Sequence, residues 1–216
     1  MAVCAGYASY AAAAAAKDGA PDGPMIRLLP SRSRGPGTMT TSILPPMSAS
    51  AKQVPCLGFL TVVEHAELGL LGGYLLLNLA GRPLEFHCTA PVKPNRAQEI
   101  LYGPTLRPFL YGEQIGQTLL ARSKLTPLVA CTDSESVLAA RDFTETPLVL
   151  VREGEAAELR SFRLGRNHVT ATPGYGSDQQ AILAAWPAQA DHLDLCEPFV
   201  RIREALEEAQ KAARAA

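Results

Sequence analysis

Between Val54 and Val151 the chain alternates short apolar runs with segments of helical periodicity. Leu57 to Val63 is mostly apolar and ends in three β-branched residues, Thr61, Val62 and Val63, a composition that predicts a strand. Tyr74 to Leu79 is a second such run. Pro83 to Cys88 is a third, joined to the second by the short turn Ala80-Gly81-Arg82. Three strands with short connections predict an antiparallel meander. The stretch before Tyr74 is broken by Gly69, Gly72 and Gly73 and stays outside the predicted strand.

Asn95 offers a helix N-cap, with Gln98 three residues on in capping-box position and Ile100 with Leu101 as the buried stripe. Gly103-Pro104 then ends this helix. A second helix runs from about Glu113 to Ser123, where Ile115, Leu119 and Leu120 share a face. Pro127 to Cys131 and Pro147 to Val151 read as apolar strands on either side of a helix through Val137 and Leu138, which Asp133 would cap. Continuous apolar runs separated by a helix predict parallel strands covered on both faces. A hairpin follows, Glu158 to Leu164 and His168 to Thr172, and then a helix capped by Ser177 or Asp178 and ending near Pro187. From Asp194 onward Leu195, Phe199, Ile202 and Leu206 recur at spacings of three and four, and Pro198 fits a helix only in its first turn. That stripe predicts docking on the domain. Arg203 with Glu207 and Glu207 with Lys211 would form i,i+4 pairs, and the remaining helix surface offers a face for homo-oligomerisation.

The expected fold class is therefore α/β, a mixed sheet with an N-terminal antiparallel meander, a strand-helix-strand unit, an extra hairpin and C-terminal helices. It occupies a single domain over residues 53–216. Composition changes the picture for residues 1–52, where Ala, Gly, Pro and Ser supply 29 of the 52 positions. Such a segment cannot bury enough apolar surface to offset about 1–2 kcal/mol of backbone entropy per residue, so disorder is expected. All 4 methionines fall within the first 47 residues, which suggests a misplaced translation start at Met1 with Met39 or Met47 as the true one.

The net charge of −1 divides into +3 on residues 1–52 and −4 on residues 53–216. A mildly acidic domain argues against a nucleic-acid partner, which calls for clustered Lys and Arg. No apolar run reaches the roughly 18 residues that a membrane-spanning helix needs. Five cysteines, an odd and widely spaced set, do not form a disulfide framework, and a reducing cytoplasm suits them.

Candidate chemistry is sparse. The element order from Leu57 to Val151, β-β-β-α-β-α-β with the two helical stretches between Asn95 and Ser123 merged, resembles that of ribonuclease H-like domains. The resemblance implies metal ions held by carboxylates from the first strand, the first helix and the fourth strand. The nearest residues here are Glu64, Glu99 and Asp133, although the strand body from Leu57 to Val63 contains no acid. A Cys/His metal site is not expected, because His87 and Cys88 are adjacent strand residues and point to opposite faces. Neither a G-x-S-x-G elbow nor a phosphate-binding loop is present. The segment Tyr102 to Gly116 carries two Tyr-Gly pairs around Arg107, so Tyr102, Arg107 and Tyr111 are the expected ligand-binding residues. The leading functional expectation is a non-catalytic cytoplasmic protein that binds a small molecule or assembles with a protein partner. The alternative is a metal-dependent hydrolase or nuclease with a ribonuclease H-like carboxylate site; no cofactor is indicated.

A chain beginning at Met47 is expected to melt at the same temperature as the full-length chain. A drop of several degrees in a thermal melt would show that the preceding segment packs on the domain.

Overall fold

The computed structural model describes residues 54–152 and 161–215. The expected N-terminal extension and the first residues of the expected hairpin, 158–160, lie outside these. Seven strands form one mixed sheet: β1 (Cys56–His65), β2 (Gly69–Asn78), β3 (Pro83–Cys88), β4 (Ala130–Thr132), β5 (Leu148–Arg152), β6 (Ser161–Leu164) and β7 (Asn167–Ala171). Their order is β3-β2-β1-β4-β5-β7-β6. The first three strands are an antiparallel meander, β4 and β5 run parallel to β1, and β7 with β6 returns antiparallel at the far edge.

Helices cover both faces of the central strands. Along β1 the side chains alternate strictly: Leu57 and Phe59 enter one apolar cluster with Phe199 and Ile202, whereas Cys56 and Leu60 enter the other with Tyr111, Ile115 and Leu119. Burial on both faces is why β1 reads as a continuous apolar run rather than an alternating one.

The same packing explains why β2 begins at Gly69 and not at Tyr74. A Cβ on Gly72 would lie 2.2 Å from Ile115 Cγ2, and one on Gly73 would lie 2.3 Å from Ile202 Cγ2. Helices press directly onto the strand backbone at these two positions, from opposite sides. The glycines that look like interruptions are the residues that let the layers close.

On one face the chain from Arg96 to Arg122 is helical throughout: α1 (Arg96–Tyr102), a 3-10 turn (Gly103–Thr105), α2 (Leu106–Pro108), a π-helical segment (Phe109–Gly116) and α3 (Gln117–Arg122). The capping box is present, with the Gln98 N–H donating to Asn95 Oδ1 at 2.8 Å and the Asn95 N–H donating to Gln98 Oε1 at 3.0 Å. Gly103, at φ +49°, marks the end of α1, yet Pro104 sits in the first turn of the next segment, where its missing N–H costs nothing. Helix therefore resumes where a loop was expected. Gly112 and Gly116 belong to a close crossing with the 3-10 segment Glu135–Phe143, since a Cβ on Gly112 would meet Ala139 Cβ at 2.6 Å and one on Gly116 would meet Ala140 Cβ at 2.9 Å.

On the other face lie α4 (Gly176–Ala185) and α5 (Glu197–Ala215), with Pro198 as the second residue of α5. Asp178 does not cap α4 from outside; it sits within the first turn, 4% exposed, and accepts from Arg141 Nε at 2.8 Å and Nη2 at 3.0 Å. The Tyr175 ring covers the same guanidinium with its centroid 4.2 Å from Cζ. This buried, bidentate and stacked pair ties the 3-10 segment to α4, and leaving either charge without the other would be strongly destabilising.

Leu195, Phe199, Ile202 and Leu206 are all buried, and the Phe199 ring meets that of Phe59 edge-on at 5.9 Å. Intramolecular docking satisfies the stripe. Replacing Phe199 by Ala is expected to cost about 3–5 kcal/mol in denaturant unfolding, the range for deleting a buried aromatic.

Candidate functional site

In a sheet of order 3-2-1-4-5 the connections leave β1 in opposite directions, which places a topological switch point between β1 and β4. Ligands of open α/β sheets bind outside the carboxyl ends of strands at such points. Two polar clusters that involve β1 are found there among the described residues, one on each face.

The first cluster lies on the helix α2 side. Glu64 is an even-numbered residue of β1 and shares the face of Leu60, directed at the turn that carries Arg107 and Tyr111. Arg107 Nη2 and Tyr111 Oη both donate to Glu64 Oε1, and the Arg107 guanidinium lies 5.4 Å from the Tyr111 ring centroid. One carboxylate oxygen thus holds two donors. Together they border a cavity of about 510 Å³ floored by Gly69, Leu70 and Leu110, with His65 and Pro94 on its rim. His65 Nδ1 is already engaged by the N–H groups of Glu67 and Leu68, both at 3.2 Å, which fixes the β1–β2 turn.

The second cluster lies on the α5 side. Thr61, three positions before Glu64 and therefore on the opposite face, is buried and donates to Asp133 Oδ1 at 2.7 Å. Asp133 follows β4 and accepts on its other oxygen from Arg203 of α5. Asp133 does not act as the expected N-cap of the following segment; Ser134 occupies that position and caps nothing with its side chain. Arg203 reaches Asp133 in place of the expected Glu207. Beside it, Arg152 at the end of β5 pairs with Glu135 at 3.5 Å, and Asp133, Arg152, Phe199 and Arg203 border a second cavity of about 290 Å³.

The sequence-predicted residues are therefore sorted by the sheet. Glu64, Arg107 and Tyr111 come together, although nothing in sequence linked the first to the other two. Tyr102 is turned away, its ring stacked on Phe109 with centroids 4.2 Å apart, and it does not line the cavity. Glu64 and Asp133 stand on opposite faces of the sheet, and Glu99 projects from α1, paired with Arg96 at 3.0 Å. The three carboxylates do not converge. Among the described residues no group of three or more His, Cys, Asp or Glu side chains could hold a metal ion. Arg203, Arg152 and Thr61 were not legible as site residues, since each is brought in by a contact across the fold.

Electrostatics follow the geometry. The hydrogen bond from Tyr111, reinforced by Arg107, holds the Glu64 carboxyl below the ordinary glutamate range. Partial burial pushes the Tyr111 phenol up, and donating to Glu64 pushes it further. The charged Glu64 is thus the form that the cluster selects.

No protein-family model matches the chain, and no curated protein matches it in sequence. In fold it is similar to the crystal structure of human ENDOV, with a TM-score of 0.40 and 12% identity over 73% of this chain and 86% of that one. It is also similar to Ciona intestinalis endonuclease V solved with a 23-mer DNA containing an inosine followed by a ribo-adenosine, at a TM-score of 0.31 and 15% identity over 51% of each chain. The corresponding complex with a 24-mer gives a TM-score of 0.30 and 14% identity, again over 51% of each chain. These likenesses run against two expectations, the non-catalytic binding or assembly protein and the chain without a nucleic-acid partner: two of the solved structures are of endonuclease V in complex with DNA. Among the described residues no helix is long and apolar enough to cross a membrane.

Because the folded-state carboxyl of Glu64 is depressed, its pairing contributes stability above the ordinary glutamate range and loses it as pH falls through the depressed value. A carboxyl-detected NMR titration should place Glu64 below a solvent-exposed glutamate. Tyr111→Phe or Arg107→Ala should move it back up.

Proposed function

We propose that this chain acts on nucleic acid, binding a phosphodiester strand along the carboxyl ends of β1, β4 and β5. The observation that carries this reading is the set of arginines gathered there: Arg107 at the end of β1, Arg203 at the end of β4 and Arg152 at the end of β5. Their side chains are 67%, 47% and 55% exposed, so all three are presented to solvent. Each is also held by a carboxylate, Glu64, Asp133 and Glu135 respectively. A guanidinium has five N–H donors, more than one carboxylate oxygen can take up. The partner acid fixes the direction of the fork, which lowers the entropy lost when a phosphate takes the remaining donors.

Among the described residues the carboxylate set that metal-assisted hydrolysis would require is not assembled: the β1 residue that meets Asp133 is Thr61, and Glu64 faces the other way. What these residues supply is binding and orientation. Asp133, tied to both Thr61 and Arg203, holds the guanidinium beside the second cavity, where a backbone phosphate would lie against Arg203 and Arg152.

Fluorescence anisotropy with labelled DNA and RNA oligonucleotides at about 50 mM salt should detect binding that weakens steeply as salt is raised. Arg203→Ala and Arg152→Ala should each reduce the slope of log K against log salt by about one. Absence of binding at low salt to every oligonucleotide, or equal binding by the parent and a variant lacking all three arginines, would overturn the reading. Incubation of the same oligonucleotides with Mg²⁺ or Mn²⁺, followed by denaturing electrophoresis, reports whether the bound strand is cut.

A further inference from the structure

The environment of Asp133 is unusual for a carboxylate at the end of a central strand. One oxygen accepts from a buried hydroxyl, Thr61 Oγ1, at 2.7 Å, and the other accepts from the Arg203 guanidinium. Its side chain is only 20% exposed. Arg203 is not a wandering surface arginine, because α5 is anchored on either side of it by the buried residues Phe199, Ile202 and Leu206. The helix that docks on the sheet therefore delivers a fixed positive charge to the carboxyl end of β4.

We infer that Arg203 stands at Asp133 where a divalent cation would otherwise be needed, so that the crevice between β1 and β4 meets a phosphate with a guanidinium built into the chain. Hard divalent cations bind through several oxygens, with carboxylates supplying most of the charge. Among the described residues the cavity is bordered by one carboxylate, Asp133, held by the Thr61 hydroxyl, with the Cys196 thiol and two guanidiniums, Arg203 and Arg152, beside it, and the Glu135 carboxylate is engaged by Arg152. The nearest further carboxylate on β1, Glu64, is on the other face. A dication entering here would have to displace Arg203 from Asp133 and would meet Arg152 across the cavity. The guanidinium, in contrast, satisfies the carboxylate and keeps donors for an incoming oxyanion.

The phosphate's part in this inference rests on the proposed function, whereas the pairing of Arg203 with Asp133 in place of a cation rests on geometry alone, so failure of the oligonucleotide experiment would remove the first and leave the second standing. Two measurements on the full chain test it. In the first, Mn²⁺ alone is titrated against the wild type and Asp133→Asn while the free-ion electron paramagnetic resonance signal is followed. The expected result is either no uptake or uptake that is the same in both proteins. Uptake by the wild type that disappears in Asp133→Asn would overturn the inference. In the second, thermal melts are compared for Arg203→Ala, Asp133→Asn and the double variant. Arg203→Ala should lower the melting temperature in the wild-type background and have little further effect once Asp133 is neutralised. Additive shifts would show that the two residues are not each other's counter-charge, and would equally overturn it.

Discussion

Everything in this molecule hangs on β1 and β2 being pressed between helices on both faces. That constraint demands apolar residues at odd and even positions alike, so the strands lose the alternation that would mark a half-solvated sheet. It also demands room, and Gly72 and Gly73 provide it by letting the helices on opposite faces approach the strand backbone within side-chain contact. Thr61 is still buried and keeps its hydroxyl there by donating to Asp133, and β1 outruns the sandwich only at Glu64 and His65. At this end of the sheet the helices contribute charged side chains, Arg107 and Arg203, in place of apolar packing.

How much of this could be read from the sequence depends on the range of the interaction concerned. The strands of the meander, the capping box at Asn95 and the stripe Leu195, Phe199, Ile202 and Leu206 rest on local periodicity and turn chemistry, and they are legible. Gly69 to Gly73 misled because a glycine that weakens a strand in isolation is required when a helix lies directly upon it. Gly103-Pro104 misled for a similar reason: it ends one helix and opens the next, and tertiary packing of Leu110, Ile115 and Leu119 outweighs the local break.

The site was legible in fragments. Arg107 and Tyr111 are one helical turn apart, a relation that sequence displays, but their shared partner Glu64 is reached only through the fold. Asp133 looks like a helix cap because Asp commonly is one, and Arg203 looks like half of an i,i+4 pair because Glu207 is in position. Both are claimed instead by each other across 70 residues. Buried Tyr74, whose hydroxyl has no hydrogen-bond partner among the described residues, is a cost of roughly 1–3 kcal/mol that the surrounding core absorbs.

The placement of Thr61 and Glu64 on opposite faces has a bearing on shape. They are separated by three residues of one strand, about 10 Å at the usual rise, so the two polar clusters are close neighbours divided by the thickness of a single sheet. Such an arrangement is a ridge with a hollow on either flank, not a cleft that closes around its occupant. A stiff, straight ligand can lie in one hollow at a time. To engage Arg107 and Arg203 together a molecule has to straddle the ridge, and that favours a chain with freely rotating links over a rigid rod.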